Sequence, residues 1–486
     1  MNKTIRRASV FCLLMVLALL GRATYVQFYK GQALADDKLN RRNTIAEYSQ
    51  PLGDIIVAGS PVTGSERTKS GDLSYQRSYK DGPMYAPVTG FASQVFGSTQ
   101  LEGIYSKVLD GSDPRMQNPF DALTRQRAPG GDVLTTIDPA VQKAGYQALG
   151  NKEGAAVAMD PKTGRILGMV STPSYDPSKI AGSSAADGDA WKQLSEDKSQ
   201  PMLNRALRQP LAPGSTFKLV VASAALENGL YPDIDAKTDS PNPYRMPGTT
   251  TDLRNESASA PCENASIRTA LEYSCNNVFG KMAVDLGQDK VRAMAEKFGF
   301  NDSALDVPVR ASASVYPKNM DKSSTALSGI GQFDVTATPM QMAMVSAAIA
   351  NDGVMSSPHM VSKVTDSKGS TLQSYPDSDG KRIMSSKTAQ QMHDAMISVV
   401  TDGTGSNAKI GGLEVGAKTG TAQHGVDNSK TPYAWFTSFA KDPKTGKEVA
   451  VAVVIQDSDA ARSEVSGNGL AGPVAQAMMK AALAAG

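Results

Sequence analysis

A chain of 486 residues can bury more than one core, so a single domain would be the unusual outcome. Fifty basic residues against 48 acidic ones leave a formal charge of +2, which excludes the strongly basic surface of a nucleic-acid binder. Two cysteines outside the amino-terminal apolar run, with no histidine cluster nearby, make a poor zinc site, and no metal is expected.

After Lys3, Arg6 and Arg7 comes the apolar run ASVFCLLMVLALLG, which extends to Phe28 if one charge at Arg22 is tolerated. Residues 8–28 suffice to span a bilayer. A cleaved signal peptide would place a small-x-small site close behind a shorter run, but the candidate, Ala33-Leu34-Ala35, lies well past it. The expectation is an uncleaved single-pass anchor with Arg22 snorkelling to the interface, residues 1–7 in the cytoplasm and the chain beyond Tyr29 exported. Cys12 then lies in the anchor, leaving Cys262 and Cys275 either as a disulfide or as two free thiols.

The segment YKGQALADDKLNRRNTIAEYSQ reads as a polar stalk without a core. Residues 51–127, rich in Gly, Ser and Pro with short apolar pieces, read as a small strand-containing module with no visible chemistry. In DVLTTIDPAVQKAGYQALG an extended piece ends at Asp138, Pro139 suits a first helical position and Gly150 closes the helix. The main boundary is drawn there: stalk and module over 29–150, a larger domain over 151–486.

Lys-Thr-Gly occurs three times in this chain, at Lys162, Lys418 and Lys444. In GAAVAMDPKTGRILGMVS and TSFAKDPKTGKEVAVAVVIQ the tripeptide follows Asp-Pro between apolar strands, so both copies read as hairpin turns with solvated lysines. In EVGAKTGTAQ no Asp-Pro precedes Lys418, and small neighbours let another chain approach the strand. Strands at 154–159, 165–171, 414–423, 433–440 and 448–456 then form a five-stranded antiparallel sheet, with a largely helical insertion after the second strand. This is an α+β arrangement.

There is no Gly-x-Ser-x-Gly elbow, and His359, His393 and His424 read as surface or loop residues, so a Ser-His-Asp enzyme is poorly supported. Ser-x-x-Lys begins at Ser195, Ser215, Ser378, Ser406 and Ser438, and context separates the five. Four sit in polar segments or beside a turn. Ser215 follows Pro213-Gly214 and opens STFKLVVASAALENG, a helix so apolar on every side that it must be buried, with Gly229 as its stop. Three positions on, Lys218 shares its face, and burial favours the neutral amine, a base for the serine proton. A capping serine with a snorkelling lysine is the competing structural explanation. Ser274-Cys275-Asn276 adds a second hydroxyl and an amide, although Ser466-Gly467-Asn468 fits the same pattern as a loop.

The order Ser-x-x-Lys, Ser-x-Asn, Lys-Thr-Gly-Thr is the signature of penicillin-binding proteins and serine β-lactamases. The chain resembles class B penicillin-binding proteins, the PbpA type of actinobacteria, through GAAVAMDPKTGRILGMVSTPSYDP, LNRALRQPLAPGSTFK, SGIGQFDVTATPMQMAMVSAAIANDG, GAKTGTAQ and GSTQLEGIYSKVLDG. One departure is Leu52, where many relatives carry an arginine before the glycine, which puts the pedestal's local pairing in doubt. The resemblance implies an anchor, an amino-terminal pedestal and a D,D-transpeptidase domain acting on peptidoglycan stem peptides, with β-lactams as covalent inhibitors. Ser215 would attack, Lys218 act as base and Ser274 relay a proton in contact with Lys218 and Lys418. Asn276 would hold the substrate amide; Lys418, Thr419, Gly420 and Thr421 would bind its terminus; the amides of Ser215 and Thr421 would form the oxyanion hole. No cofactor is implied. A membrane glycosyltransferase of the shape and division group is the implied partner, because 29–150 is too short for a glycosyltransferase domain. A D,D-carboxypeptidase shares the trio, a β-lactamase has little use for an anchor and pedestal, and a non-catalytic scaffold or β-lactam sensor could dispense with Ser215 and Lys218.

Overall fold

The computed structural model describes residues 3–30, 34, 41–68, 72–117, 127–423, 429–457, 460 and 465–484. Helix α1 (Lys3–Tyr25) continues into a π-helical turn, Val26–Lys30; within these 28 residues an 18-residue window has a mean hydropathy of 1.9, and the stretch is long and apolar enough to cross a membrane. None of this stretch is buried in protein, and it encloses 8–28.

Helix α2 (Arg41–Glu47) leads to Tyr48, which is buried and whose carbonyl accepts from the N–H groups of Ser74 and Tyr75. The end of the expected stalk is therefore part of a core, because one tyrosine carries enough apolar area to dock an otherwise charged segment. The pedestal contains β1 (Ile55–Val57), the hairpin β2 (Thr63–Arg67) and β3 (Tyr75–Tyr79), and β4 (Asp132–Thr135), which runs parallel to β1. Beside Leu52, Arg77 of β3 is fully buried and donates from Nε to Glu102 Oε1 at 2.6 Å and from Nη1 to the Gly53 carbonyl at 2.7 Å. A guanidinium survives burial only with such partners.

Helix α3 (Pro139–Leu149) is capped by Asp138, whose carboxylate accepts from the N–H groups of Ala140 and Val141. Although it precedes the boundary drawn at 150, its Val141 and Leu149 pack into the core of the carboxy-terminal region. That region contains β5 (Glu153–Met159), β6 (Ile166–Thr172), α4 (Lys218–Glu227), α5 (Ile267–Glu272), α6 (Asn276–Leu286) and α7 (Pro339–Ala350). The hairpin β7 (Val361–Thr365) and β8 (Thr371–Ser374) follows, then α8 (Ser386–Thr401), β9 (Glu414–Ala422), β10 (Tyr433–Lys441), β11 (Glu448–Asp457) and α9 (Gly472–Ala484).

The central sheet runs β9-β10-β11-β5-β6, antiparallel throughout, and every strand end falls within one residue of the sequence expectation. Side chains alternate between two apolar layers. Val157, Met169, Ala452 and Trp435 pack with α4, α7 and α8; Ala156, Val451, Val453 and Phe436 pack with α3 and α9. The row Lys418, Thr437, Ala452, Val157, Met169 crosses all five strands in register, which fixes Lys418 on the α4 and α8 face. The hairpin β7-β8 does not join this sheet. Instead β7 pairs with β4, so a segment of the carboxy-terminal half completes the pedestal sheet in the order β8-β7-β4-β1, with Ser60–Pro61 paired on the far side of β1.

Both Asp-Pro-Lys-Thr-Gly segments are turns between sheet strands. Asp160 and Asp442 each accept from the backbone N–H of the lysine two residues on at 2.8 Å, and Gly164 and Gly446 take φ of +78° and +73°. Lys162 is not wholly solvated, since it reaches Glu448 at 3.5 Å.

Candidate active site

Ser215 lies in a 3-10 turn, Gly214–Phe217, that feeds directly into α4. Expected as one helix, the segment tightens at its start because Gly214 takes φ of +53°. The apolar character then does what the sequence suggests: residues 218–225 are all buried, Lys218 among them. The turn is pinned from three sides. Trp435, fully buried in β10, donates from Nε1 to the Ala212 carbonyl at 2.9 Å; Gly214 N–H donates to the Gly331 carbonyl at 3.0 Å; a Cβ on Gly214 would stand 3.0 Å from that of Ala422. The edge strand β9 therefore lies against the turn that carries Ser215, with one edge unpaired by the sheet. Gly420 is required by the same approach, since a Cβ there would meet the Pro213 carbonyl at 3.0 Å and Trp435 at 3.1 Å.

Ser274 arrives by a different device. Helix α5 ends in a Schellman motif: Cys275 N–H donates to the Ala270 carbonyl at 2.8 Å and Ser274 N–H to that of Leu271 at 3.3 Å. Ser274 occupies the left-handed position that glycine ordinarily takes, with φ of +56°, at a cost of about 1 kcal/mol. Cys275 is joined to Cys262 by a disulfide in this structure. Because Cys275, the N-cap of α6, offers no side-chain cap, the first N–H groups of that helix are taken by Asn255 from another loop. Its Oδ1 accepts from Asn276 N–H at 2.6 Å and Asn277 N–H at 3.3 Å.

These elements bring two lysines to one hydroxyl. Lys218 Nζ lies 2.7 Å from the Ser274 carbonyl, 2.7 Å from Asn276 Oδ1 and 3.2 Å from Ser274 Oγ. Lys418 Nζ donates to Ser274 Oγ at 3.1 Å and to the Thr419 carbonyl at 3.0 Å. A neutral amine has two N–H donors and one lone pair, and the contacts of Lys218 match that count: two obligate acceptors at short range, and a hydroxyl able to donate. Burial, and then the charge of Lys418, hold Lys218 well below the ordinary lysine range. Burial alone lowers Lys418 to about 7, against the pull of the Glu256 carboxylate, which favours the charged form of both lysines. Both burial and the charge of Lys418 favour the neutral amine at Lys218, so Ser274 can donate to Lys218 while accepting from Lys418. The amines' bonds go to Ser274, Asn276 and the Thr419 carbonyl, and neither amine bonds Ser215 Oγ.

Asn276, expected to hold a substrate amide, has both ends of its carboxamide occupied, by Lys218 and by the Arg254 carbonyl at 2.9 Å. Thr419 bonds through Oγ1 to Thr404 Oγ1 at 2.9 Å. Asn255 and Thr404 were not identifiable from sequence, because each acts from a loop with no motif of its own. The alternative Ser-x-Asn, Ser466 to Asn468, caps a π turn, and its Gly467 backs Gly420 with no room for a Cβ. Ser195 bonds the Trp191 carbonyl of its own helix, Ser438 bonds the Val451 carbonyl of the neighbouring strand β11, Ser378 lies in a half-buried loop and Ser406 opens an exposed 3-10 turn. His393 stacks on Phe439 and His359 lies near Asp377, neither at this cluster; His424 falls outside the described residues. Among the described residues no cluster could hold a metal ion.

A serine on a glycine-pinned turn, a buried lysine one turn on, a hydroxyl shared by two lysines and an open strand edge are the arrangement of a serine acyltransferase of the Ser-x-x-Lys kind. Residues 154–480 match the penicillin-binding protein transpeptidase domain, and residues 52–133 match the penicillin-binding protein A dimerisation domain. The chain is 37% identical to the peptidoglycan D,D-transpeptidase PbpA of Mycolicibacterium smegmatis, with all of both chains covered. It is 35% identical to that of Mycobacterium tuberculosis over 99% of each. Its fold matches the ceftriaxone acyl-enzyme structure of M. tuberculosis penicillin-binding protein A with a TM-score of 0.84 at 34% identity, covering 90% of this chain and all of that one. The penicillin G acyl-enzyme of the same protein matches at 0.81 and 33%, over 89% of this chain and all of the other. The chain belongs to the penicillin-binding protein transpeptidase family. Its full-length similarity is to members of the PbpA type.

Proposed function

We propose that the protein is a serine D,D-transpeptidase that cross-links peptidoglycan stem peptides through an acyl-enzyme on Ser215, and that β-lactams acylate the same serine. Neutral Lys218 takes the proton of Ser215 as Oγ attacks the carbonyl of the penultimate D-Ala, and the negative charge on the carbonyl oxygen is met by the amides of Ser215 and Thr421. The carbon–nitrogen bond then breaks, and the proton passes through Ser274 to the departing D-Ala amine. An acceptor amine attacks the ester, the new amide forms and Ser215 recovers its proton. Lys418, Thr419, Gly420 and Thr421 bind the donor's carboxylate end. Asn276 positions Lys218, and it binds the donor's amide by exchanging its bond to the Arg254 carbonyl. The observation that carries this reading is the shared contact of Lys218 and Lys418 with Ser274 Oγ.

Residues 8–28 anchor the protein with a short cytoplasmic amino terminus, and the catalytic region acts outside the membrane. Residues 29–150, with no room for a glycosyltransferase, leave glycan polymerisation to a separate membrane enzyme of the shape and division group. The test is mass spectrometry of the full chain in detergent with a thioester donor and a D-amino acid acceptor. An adduct on Ser215 that transfers to the amine supports the reading. Hydrolysis alone points to a carboxypeptidase, and no adduct refutes catalysis.

A further inference from the structure

Among the described residues, ten that are not glycine take a positive φ, and five of these are Asn or Asp, which tolerate it. Phe333 is the one aromatic, with φ of +63°, and its side chain is 46% exposed. A single exposed phenylalanine needs no explanation. An exposed one on a left-handed backbone is unfavourable twice over, because burial of the ring does not repay the strain.

Its position gives the combination a use. Two residues earlier, Gly331 accepts from Gly214 N–H, so closely that a Cβ on Gly331 would lie 2.1 Å from the Gly214 carbonyl. With its carboxamide turned to match its neighbours, Gln332 donates to the Gln423 carbonyl at 3.1 Å and accepts from Gln423 N–H at 3.3 Å. Residues 331 and 332 thus clamp the nucleophile's turn to the end of β9, and Phe333 leaves from that clamp. A donor peptide that adds to the free edge of β9 antiparallel, its carboxylate by Lys418 and its reacting carbonyl by Ser215, runs on past Ala422 towards Gln423. The residue amino-terminal to D-Ala-D-Ala passes there.

We propose that Phe333 is a donor-specificity residue: its ring is the apolar wall for the side chain preceding D-Ala-D-Ala, and for an aryl substituent at the equivalent point of a β-lactam. This rests on the acyl-transfer reading above. Phe333→Gly tests it, because glycine adopts this backbone freely and the fold is retained. Acylation of the full chain would be measured with penicillin G, which carries a phenylacetyl group, and with 6-aminopenicillanic acid, which carries a bare amine. The expected result is about a tenfold loss of second-order rate for penicillin G with 6-aminopenicillanic acid within about twofold, restored in large part by Phe333→Leu. An equal loss for both compounds, or none for either, overturns the proposal. Failure of both to acylate wild-type Ser215 refutes the acyl-transfer reading itself, and this inference with it.

Discussion

Substitution of Lys418 by methionine removes the second amine from the cluster while keeping its length. Both amines contact Ser274 Oγ, at 3.2 and 3.1 Å, so they stand at most about 6.3 Å apart. At an effective dielectric of about 20, a positive charge at that range disfavours a charged Lys218 by about 2.6 kcal/mol, which is about 80-fold in its neutral-to-charged ratio. While Lys418 is cationic, below about pH 7, that repulsion keeps Lys218 ready to accept the serine proton. In Lys418→Met, acylation by a fluorescent penicillin, followed by stopped flow, should fall by about this factor at acid pH and recover as the pH rises through the displaced titration of Lys218. A loss of the same size at every pH would refute the electrostatic argument, leaving Lys418 a role in carboxylate binding alone.

Lys162→Ala and Lys444→Ala should leave acylation within about twofold, since their tripeptides shape turns; losses equal to that of Lys418→Met would sink the assignment. Thr404→Val should slow acylation several-fold by freeing the Thr419 hydroxyl, with Thr404→Ser close to wild type, as read by the same assay. Reduction of Cys262–Cys275, 13 residues apart, should cost about 3 kcal/mol in a denaturant melt, and Cys262→Ser with Cys275→Ser should abolish that sensitivity to reductant. Because Lys418 is lowered from 10.5 to about 7 in the folded protein, the unfolded chain binds more protons between those values. Folded stability therefore gains a contribution that rises with pH across that window, and Lys418→Met should flatten the slope of the unfolding free energy there.

The catalytic fold was legible where a short pattern and its setting agree. Asp-Pro ahead of Lys162 and Lys444 identifies turns, and the small residues around Lys418 identify a strand that something must approach. Burial of Lys218 followed from a helix with no polar face. What stayed hidden came from long-range pairing. Asn255 caps α6 from a loop 21 residues upstream, and nothing in its own neighbourhood marks it. Ser274 sits where a helix terminus favours glycine, so its backbone geometry contradicts local preference, as functional positions often do. Tyr48 and Arg77 likewise act through partners that no periodicity announces.

The hairpin β7-β8 gives the chain a boundary in sequence that is not one in space. Beyond its pairing with β4, it is tied to the pedestal by Tyr375, whose hydroxyl meets that of Tyr105 at 2.7 Å, and by Arg115, which donates to the Leu372 carbonyl at 3.4 Å. A chimera that takes residues 1–150 from a relative would therefore set a foreign β4 against a native β7. The interchangeable part comprises two stretches of chain, the pedestal and residues 361–375, and they must be inherited together.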